Sequence, residues 1–259
     1  TARPLEITAA SASKTYDGAP LADWGYEITD GSLADNQTLA SVTVTGSRLY
    51  PGNSANAASG AAITDASDSN VTGNYAITYV DGALTVTKAE IAITVTANSD
   101  SKEYDGTPLT NNGGELTSGT LATGDRLEIT VEGSITDVGT DENAITEVKA
   151  MHDTTDVTEN YNITTQNGTL EVTARLLEIT AGSASKTYDG TPLTNGEYSI
   201  TSGNLAAGQT LASVTVTGSQ LYPGSSANAA GGAVIRDAGT NDVTGNYEIT
   251  YIAGTLVIN

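Results

Sequence analysis

The sequence contains no cysteine and no phenylalanine, and it has a single tryptophan, a single methionine and a single histidine. Without cysteine there can be no disulfide framework, no thiolate nucleophile and no sulfur-ligated metal site. Basic residues are also scarce, because 10 of them stand against 31 acidic residues and leave a formal charge of -21. Such a charge repels phosphate backbones and anionic lipid head groups, so nucleic acid and membrane surfaces are poor partners.

Long apolar runs are missing as well. No stretch of about 20 apolar residues is present, and the first residues lack a charged segment followed by an apolar core. The sequence therefore predicts no membrane insertion in this part of the protein, and any export signal or wall anchor is expected outside it. The Thr-rich, Lys-poor, acidic composition is typical of bacterial extracellular surface proteins.

What the sequence does contain is a threefold repeat. The stretch "SKTYDGAPL" at Ser13 returns as "SKEYDGTPL" at Ser101 and as "SKTYDGTPL" at Ser185, and "VTGNY", "VTENY" and "VTGNY" mark the later part of each copy. Internal repetition at this length indicates tandem modules. We place them at residues 1–88, 89–174 and 175–259.

The outer two modules are near-duplicates (type A), whereas the middle one (type B) shares the landmarks but little else. We interpret this A-B-A order as a device that limits strand swapping between adjacent modules. The chain begins with "TARPLEIT", which resembles the junction "TARLLEIT" at Thr173, so a further module is expected to precede it.

Alternating apolar residues, such as Ile91, Ile93 and Val95, predict half-buried strands throughout. Tyr75 to Val86, with Asp81-Gly82 between two alternating runs, predicts a closing β-hairpin. The junctions at 84–95 and 170–181 contain neither Gly nor Pro, which favours stiff connections. We therefore expect an all-β protein of three small modules, either β-grasp-like or Ig-like sandwiches, arranged as an elongated rod.

The repeated Tyr-Asp-Gly motif has two interpretations. A tyrosine and a carboxylate in one turn could act as acid and base, but no histidine or second recurrent carboxylate accompanies them. The structural interpretation, which we favour, has Tyr in the core, Asp capping a turn and Gly at positive φ. The residues concerned are Tyr16, Asp17, Gly18, Tyr104, Asp105, Gly106, Tyr188, Asp189 and Gly190.

A lysine and an asparagine recur equally in each module. An amine held against an amide, with a carboxylate nearby, can form an intramolecular isopeptide bond, since desolvation makes the neutral amine available. The alternative is an edge-strand lysine and a turn-capping asparagine. The three candidate pairs are Lys14 with Asn74, Lys102 with Asn160, and Lys186 with Asn246.

Other candidate sites are less regular. Acidic loops that begin at Asp65, His152 and Asp237 offer oxygen ligands for calcium, but none follows the EF-hand spacing. Trp24, Tyr50 and Tyr222 are candidate contacts for a glycan or protein. Because no recurrent catalytic constellation is present, we expect a non-enzymatic protein without a metal or cofactor.

The motifs "KTYDGTPLT" and "DVTGNYEITYIAGTLVI" resemble the YDG and MBG (mostly β-grasp) repeats of bacterial surface proteins, and the likeness covers all three modules. The resemblance implies an extracellular location on a bacterial cell surface and a stalk or spacer role within an adhesin-like protein. A host glycan or protein is then an expected partner of parts outside this sequence. We expect the chain itself to be a monomer.

Overall fold

The computed structural model describes residues 1–259 and is almost entirely β-structure. Strands account for 62% of the residues. The helical segments are three single 3-10 turns, Thr72–Asn74, Thr158–Asn160 and Thr244–Asn246, and each is followed directly by the late tyrosine of its module. The all-β prediction is therefore confirmed.

The first module contains two mixed sheets, ordered β3-β1-β6 and β2-β7-β5-β4. In the first sheet β1 is antiparallel to β3 and parallel to β6, and in the second β2 is parallel to β7. Buried side chains alternate along β1, so one face of its sheet meets the core. The strands are β1 (Arg3–Ala9), β2 (Ala12–Thr15), β3 (Tyr26–Gly31), β4 (Gln37–Thr45), β5 (Gly52–Asp65), β6 (Tyr75–Val80) and β7 (Gly82–Thr87).

The second module repeats this order with one short extra strand, β13, paired to β12. Its sheets are β10-β8-β14 and β11-β12-β15-β9. The strands are β8 (Ile91–Ala97), β9 (Asp100–Glu103), β10 (Gly114–Ser118), β11 (Asp125–Glu132), β12 (Gly139–His152), β13 (Thr155–Asp156), β14 (Tyr161–Gln166) and β15 (Gly168–Thr173).

The third module has the sheets β18-β16-β21 and β17-β22-β20-β19, again with one parallel pair in each. All three sequence repeats therefore have the same strand order. The strands are β16 (Arg175–Ala181), β17 (Ala184–Lys186), β18 (Tyr198–Gly203), β19 (Thr210–Thr217), β20 (Gly224–Arg236), β21 (Tyr247–Ile252) and β22 (Gly254–Ile258).

The predicted closing hairpin is wrong. Although β6 and β7 are separated only by Asp81, they belong to different sheets, because β6 pairs with β1 while β7 pairs with β2 and β5. The chain thus crosses between sheets at Gly82. A Cβ there would lie 2.2 Å from the carbonyl oxygen of Ala10, so this recurrent glycine is required by close backbone approach and not by a turn.

The chain divides into two compact units. The first comprises Thr1–Val95, Leu116–Ile129 and Glu147–Thr165, and the second comprises Thr96–Glu115, Thr130–Thr146 and Gln166–Asn259. Each outer module lies whole within one unit, and the middle module contributes strands to both. No helix in the chain is long and apolar enough to cross a lipid bilayer.

Each unit has its own apolar core between facing sheets, which gives the modules their sandwich character. In the first unit Leu5 and Ile7 of β1 meet Ala61 and Ile63 of β5. In the second unit a single cluster includes residues of the middle module and of the third module. The members from the middle module are Tyr104, Leu109, Leu170 and Val172, and those from the third are Leu177, Ile179, Ala206, Ala233, Ile235 and Tyr247.

Candidate functional site

The Tyr-Asp-Gly motif forms a tight turn immediately after the second strand of each module. Asp17 Oδ1 accepts a hydrogen bond from the backbone N–H of Ala19 at 2.9 Å, and Gly18 has φ 77°. Lys14 Nζ donates to the same carboxylate at 2.6 Å. This hydrogen bond, with that from Ala19, lowers the pKa of Asp17. The geometry is that of a capped turn in which the lysine and aspartate side chains form an ion pair with each other.

The same turn is present in the other two modules. Lys102 Nζ donates to Asp105 Oδ1 at 2.6 Å, and Lys186 Nζ donates to Asp189 Oδ1 at 2.8 Å. The pKa of each aspartate is held well below its usual range by the lysine and by the threonine two residues later. Gly106 and Gly190 have φ 82° and 81°, a region in which a side chain is strained.

The structure gives the recurrent lysines and asparagines separate hydrogen-bond partners. None of the three lysine amines has an asparagine among its hydrogen-bond partners. Asn160 Oδ1 instead accepts from the backbone N–H of Ala89 at 3.2 Å, and Asn246 Oδ1 accepts from that of Val138 at 2.7 Å. Asn74 is exposed. This arrangement does not bring together the groups that an isopeptide bond requires.

The motif tyrosine reaches into the next module. In the first unit Tyr16 is only 3% exposed, and its hydroxyl donates to Asp125 Oδ1 at 2.8 Å. Tyr161 donates to Asp125 Oδ2 at 2.6 Å. Asp17 O also accepts from Thr123 N at 3.0 Å, and a Cβ on Gly18 would lie 2.0 Å from Thr123 O. Glycine is thus needed at position 18 because Thr123 leaves no room for a side chain and because φ is positive.

Asp125 is the centre of this contact, since its side chain is fully buried and has three polar groups around it. The third group is His152, whose Nδ1 lies within hydrogen-bond distance of Asp125 Oδ1, at 2.6 Å. Burial, reinforced by the Asp125 carboxylate, raises the pKa of Tyr16 and of Tyr161 well above the usual range. The hydroxyls therefore stay protonated and act as donors. Because these groups are enclosed, they form a hydrogen-bonded joint and not an accessible acid-base site.

The corresponding contact in the second unit is neutral. Tyr104 is 2% exposed, and its hydroxyl accepts from Gln209 Nε2 at 2.7 Å. Gln209 Oε1 in turn accepts from the hydroxyl of Tyr247 at 2.6 Å. The two tyrosine rings meet edge to face with centroids 5.7 Å apart. An amide here satisfies both hydroxyls without burying a charge.

Further polar groups surround Tyr104. Arg175, the first residue of the third module, donates from Nη1 to the Tyr104 carbonyl at 3.1 Å and lies 3.3 Å from Glu103. Asn246 Nδ2 donates to Asp137 Oδ1 at 2.8 Å. A cavity of about 650 Å³ opens beside these groups. Its acidic lining residues are Asp137, Asp237 and Asp242.

Three recurrent asparagines were missed by the sequence analysis, although they are spaced as evenly as the lysines. Asn56 is fully buried, and its Nδ2 donates to the carbonyls of Ala10 and Asp23 at 2.8 and 2.9 Å. Asn143 and Asn228 make the equivalent pairs of bonds. Each amide therefore holds the loop after the first strand of its module, a role that lies inside the module.

The candidate ligand contacts differ in exposure. Trp24 is 72% exposed and Tyr222 is 67% exposed. Tyr50 is half-buried, and its ring meets His152 edge to face at 5.8 Å. In the acidic loops, Asp65 accepts from the N–H groups of Ser67 and Ser69, and Asp237 accepts from Asn241. These carboxylates cap their own loops.

Comparison with known proteins gives no assignment. No family model matches the chain, and no curated protein matches it significantly.

Proposed function

We propose that the chain is a non-enzymatic spacer in a bacterial cell-surface adhesin-like protein, where its modules hold a binding domain away from the cell. The observation that carries the proposal is the construction of the module junctions. Only Ala174 separates β15 from β16, and only three residues separate β7 from β8. So short a connection leaves little chain to bend, and buried contacts surround it.

The motif tyrosines support the same proposal. Tyr16 and Tyr104 are buried against the module that follows, and each phenol is hydrogen-bonded there. Domains joined only by a linker expose such side chains and move independently. A tyrosine enclosed at each junction resists that motion, which is the property that a spacer needs. The likeness to YDG and MBG repeats supports the surface location.

The proposal is tested by a distance measurement between the outer modules. The chain has no native cysteine, so Ala66→Cys and Ala238→Cys place two spin labels on equivalent exposed loops. A spacer predicts a narrow distance distribution, which Tyr16→Ala or Tyr104→Ala broadens. A broad distribution in the otherwise unchanged chain would refute it, since that is the behaviour of modules on free linkers.

The second candidate function is adhesion through the type A modules, and the exposure of Trp24 and Tyr222 favours it. Exposed aromatic rings stack on sugars and anchor protein interfaces. A glycan array probed with the chain and with a Trp24→Ala, Tyr222→Ala double variant tests this function. Binding that is unchanged in the double variant would exclude these two residues as the contact.

A further inference from the structure

The chain contains three Asn-Gly pairs, and each has a different hydrogen-bonding environment. They are Asn112-Gly113, Asn167-Gly168 and Asn195-Gly196. The backbone nitrogen that follows an asparagine can attack the side-chain amide, and this reaction is easiest before glycine, which has no Cβ to hinder the five-membered ring that forms. The structure decides which of the three pairs is held in a geometry suited to that reaction.

The pair in the last part of the middle module is locked. Asn167 Oδ1 accepts from the backbone N–H of Ile145 at 3.0 Å, and Asn167 Nδ2 donates to Glu142 Oε1 at 2.9 Å. Gly168 is buried, and a Cβ there would lie 2.3 Å from Asn98 O. Both ends of the amide are therefore held, and the backbone has no room to close into a ring.

The pair in the earlier loop of the middle module is exposed, but its attacking nitrogen is occupied. The Gly113 N–H donates to Asn111 Oδ1 at 2.9 Å. The Asn112 side chain is exposed, and no hydrogen bond holds it against that nitrogen. Ring closure at Asn112 therefore requires the loss of the Gly113 hydrogen bond and a rearrangement of the side chain.

The pair in the third module has the opposite arrangement. Asn195 Oδ1 accepts from the backbone N–H of Glu197 at 2.9 Å, which closes a turn over the Gly196 nitrogen and keeps the amide carbon beside it. The same hydrogen bond polarises the amide and is placed to stabilise the oxyanion that forms during attack. The Gly196 N–H makes no hydrogen bond, and no atom lies within 4 Å of a Cβ built on Gly196.

We propose that Asn195 is a site of spontaneous deamidation and that the folded structure directs the reaction to this asparagine. The Gly196 nitrogen loses its proton to solvent and bonds to the Asn195 side-chain carbon. The bond from that carbon to Nδ2 breaks, and the nitrogen takes up a proton and leaves as ammonia. Water then opens the cyclic imide at one of its two carbonyls, which gives aspartate or isoaspartate. Either product adds one negative charge to a chain whose formal charge is -21.

The first module shows that aspartate fits this position. Asp23 occupies the equivalent place, and its Oδ1 accepts from the Gly25 N–H at 2.7 Å. The buried Asn56 Nδ2 donates to the Asp23 carbonyl at 2.9 Å, just as Asn228 Nδ2 donates to the Asn195 carbonyl at 2.8 Å. Aspartate therefore keeps both the turn and its anchor.

Isoaspartate does not keep them, because the main chain then runs through the side-chain carbon and is one methylene longer. The carbonyl that Asn228 Nδ2 binds becomes a free carboxylate outside the main chain. The lengthened loop also has to accommodate the hydrogen bond from Gly182 N to Glu197 O at 2.7 Å. The modification thus detaches this loop of the third module from the buried asparagine that anchors it.

The test is incubation of the full folded chain in mildly alkaline buffer, followed by peptide mapping with mass spectrometry, which locates each change from amide to acid. Asn195 is expected to convert several-fold faster than Asn112, and Asn167 is expected to stay intact. In urea the folded geometry is lost, so the three asparagines should convert at similar rates. Conversion at Asn112 or Asn167 that equals that at Asn195 in the folded chain overturns the proposal. A ranking that urea leaves unchanged overturns it too.

A glycine substitution tests the attacking nitrogen directly. Gly196 has open space for a Cβ and is not in the left-handed region, so Gly196→Ala is compatible with the fold, while its methyl group hinders ring closure. We expect it to slow conversion of Asn195 about tenfold or more. Gly231→Ala, at a glycine with equally open surroundings that does not follow an asparagine, is the matched control and leaves the rate unchanged. An undiminished rate in Gly196→Ala contradicts the mechanism.

Hydrogen exchange of the loop tests the structural consequence. Amides of residues 195–198 are expected to exchange faster in an aged, converted sample than in a fresh one. Asn195→Asp, which supplies the charge without the longer main chain, is expected to exchange like the fresh chain. Equal exchange in aged and fresh samples would show that the loop is not released. Fast exchange in Asn195→Asp would assign the release to charge and not to isoaspartate.

Discussion

The same tyrosine motif forms both inter-module contacts, but the group that its hydroxyl bonds differs between them. In the first unit Tyr16 donates to a buried carboxylate, Asp125, which also takes a histidine, whereas in the second unit Tyr104 accepts from a neutral amide, Gln209. The turn that presents the tyrosine is the same in both. The difference shows that the motif fixes the position of the phenol, while the receiving module decides which hydrogen bonds it makes.

The residues that receive the tyrosine differ together between the two module types. Type A modules hold Gln37 or Gln209 where the type B module holds Asp125, and Asp65 or Asp237 at the strand end where type B holds His152. A lone Asp125 would be a buried unpaired charge, so the histidine and the two phenols belong with it. Adjacent junctions in an A-B-A chain are therefore chemically unlike.

The largest expected effect is from Asp125→Ala compared with Gln209→Ala. Removal of Asp125 leaves two phenols and His152 without their acceptor in a buried site, at a cost of about 3 kcal/mol. Removal of Gln209 leaves only two neutral hydroxyls, at about 1.5 kcal/mol. Urea denaturation of the full chain measures both losses. Equal losses would remove the distinction between the charged and neutral contacts.

The next expected effect concerns hydrogen bonds inside the modules and not the contacts at their junctions. Asn143→Ala and Asn228→Ala each remove two buried hydrogen bonds to loop carbonyls. We expect each to lower the free energy of unfolding by about 2 kcal/mol, because the two orphaned carbonyls lose their donors. The two losses should be alike, since this network is shared by both module types. A marked difference between them would show that type A and type B differ inside the module as well.

A smaller effect is expected from Tyr16→Phe and Tyr104→Phe, which keep the ring and remove the hydroxyl. A hydrogen bond to a charged acceptor contributes more than one between neutral groups, so we expect losses of about 2 and about 1 kcal/mol, respectively. Thermal unfolding of matched samples compares them. In an Asp125→Ala background the Tyr16→Phe loss should vanish, and its persistence would mean that the Tyr16 hydroxyl does not act through Asp125.

The smallest effect concerns alkaline pH. The pKa values of Tyr16 and Tyr161 are raised, so their contribution to stability is complete below the unfolded value of about 10. It is lost as pH rises through the higher folded values. Asp125→Asn should lower these two pKa values only in part, because burial is the larger cause. Tyrosinate absorbance during a pH titration measures this, and an unchanged titration would contradict the role of the carboxylate.

The turn could be predicted from the sequence because its geometry is local. Asp17 caps and Gly18 adopts positive φ within three residues, and residue type largely dictates both. The hairpin prediction failed because strand pairing is not local. Alternation predicts strands at β6 and β7 but does not indicate which sheet each strand joins. Pairing was decided by β1 and β2, far away in the chain.

The partners of the tyrosines could not be predicted in this way. Tyr16 and Asp125 are 109 residues apart, and the equivalent receiving residue changes from Asp to Gln between modules. Comparing the three repeats for identical residues therefore does not reveal the position of the receiving residue. The buried Asn56, Asn143 and Asn228 were accessible by the criterion that selected the lysines, and only their burial distinguishes them from capping residues.

Parallel pairing of β1 with β6 affects how the protein can be made. Arg3 pairs with Tyr75 and Thr8 with Val80, so the first strand of a module can pair early with β3 but lacks its parallel partner until the end of that module has been synthesised. At cellular translation rates this is a wait of roughly 4 to 14 s. By then the next module's first strand follows closely, and a near-copy would compete for β6. In an A-B-A chain the first strand of the following module is of the other type. It is therefore a poorer competitor for β6 while β1 and β6 pair.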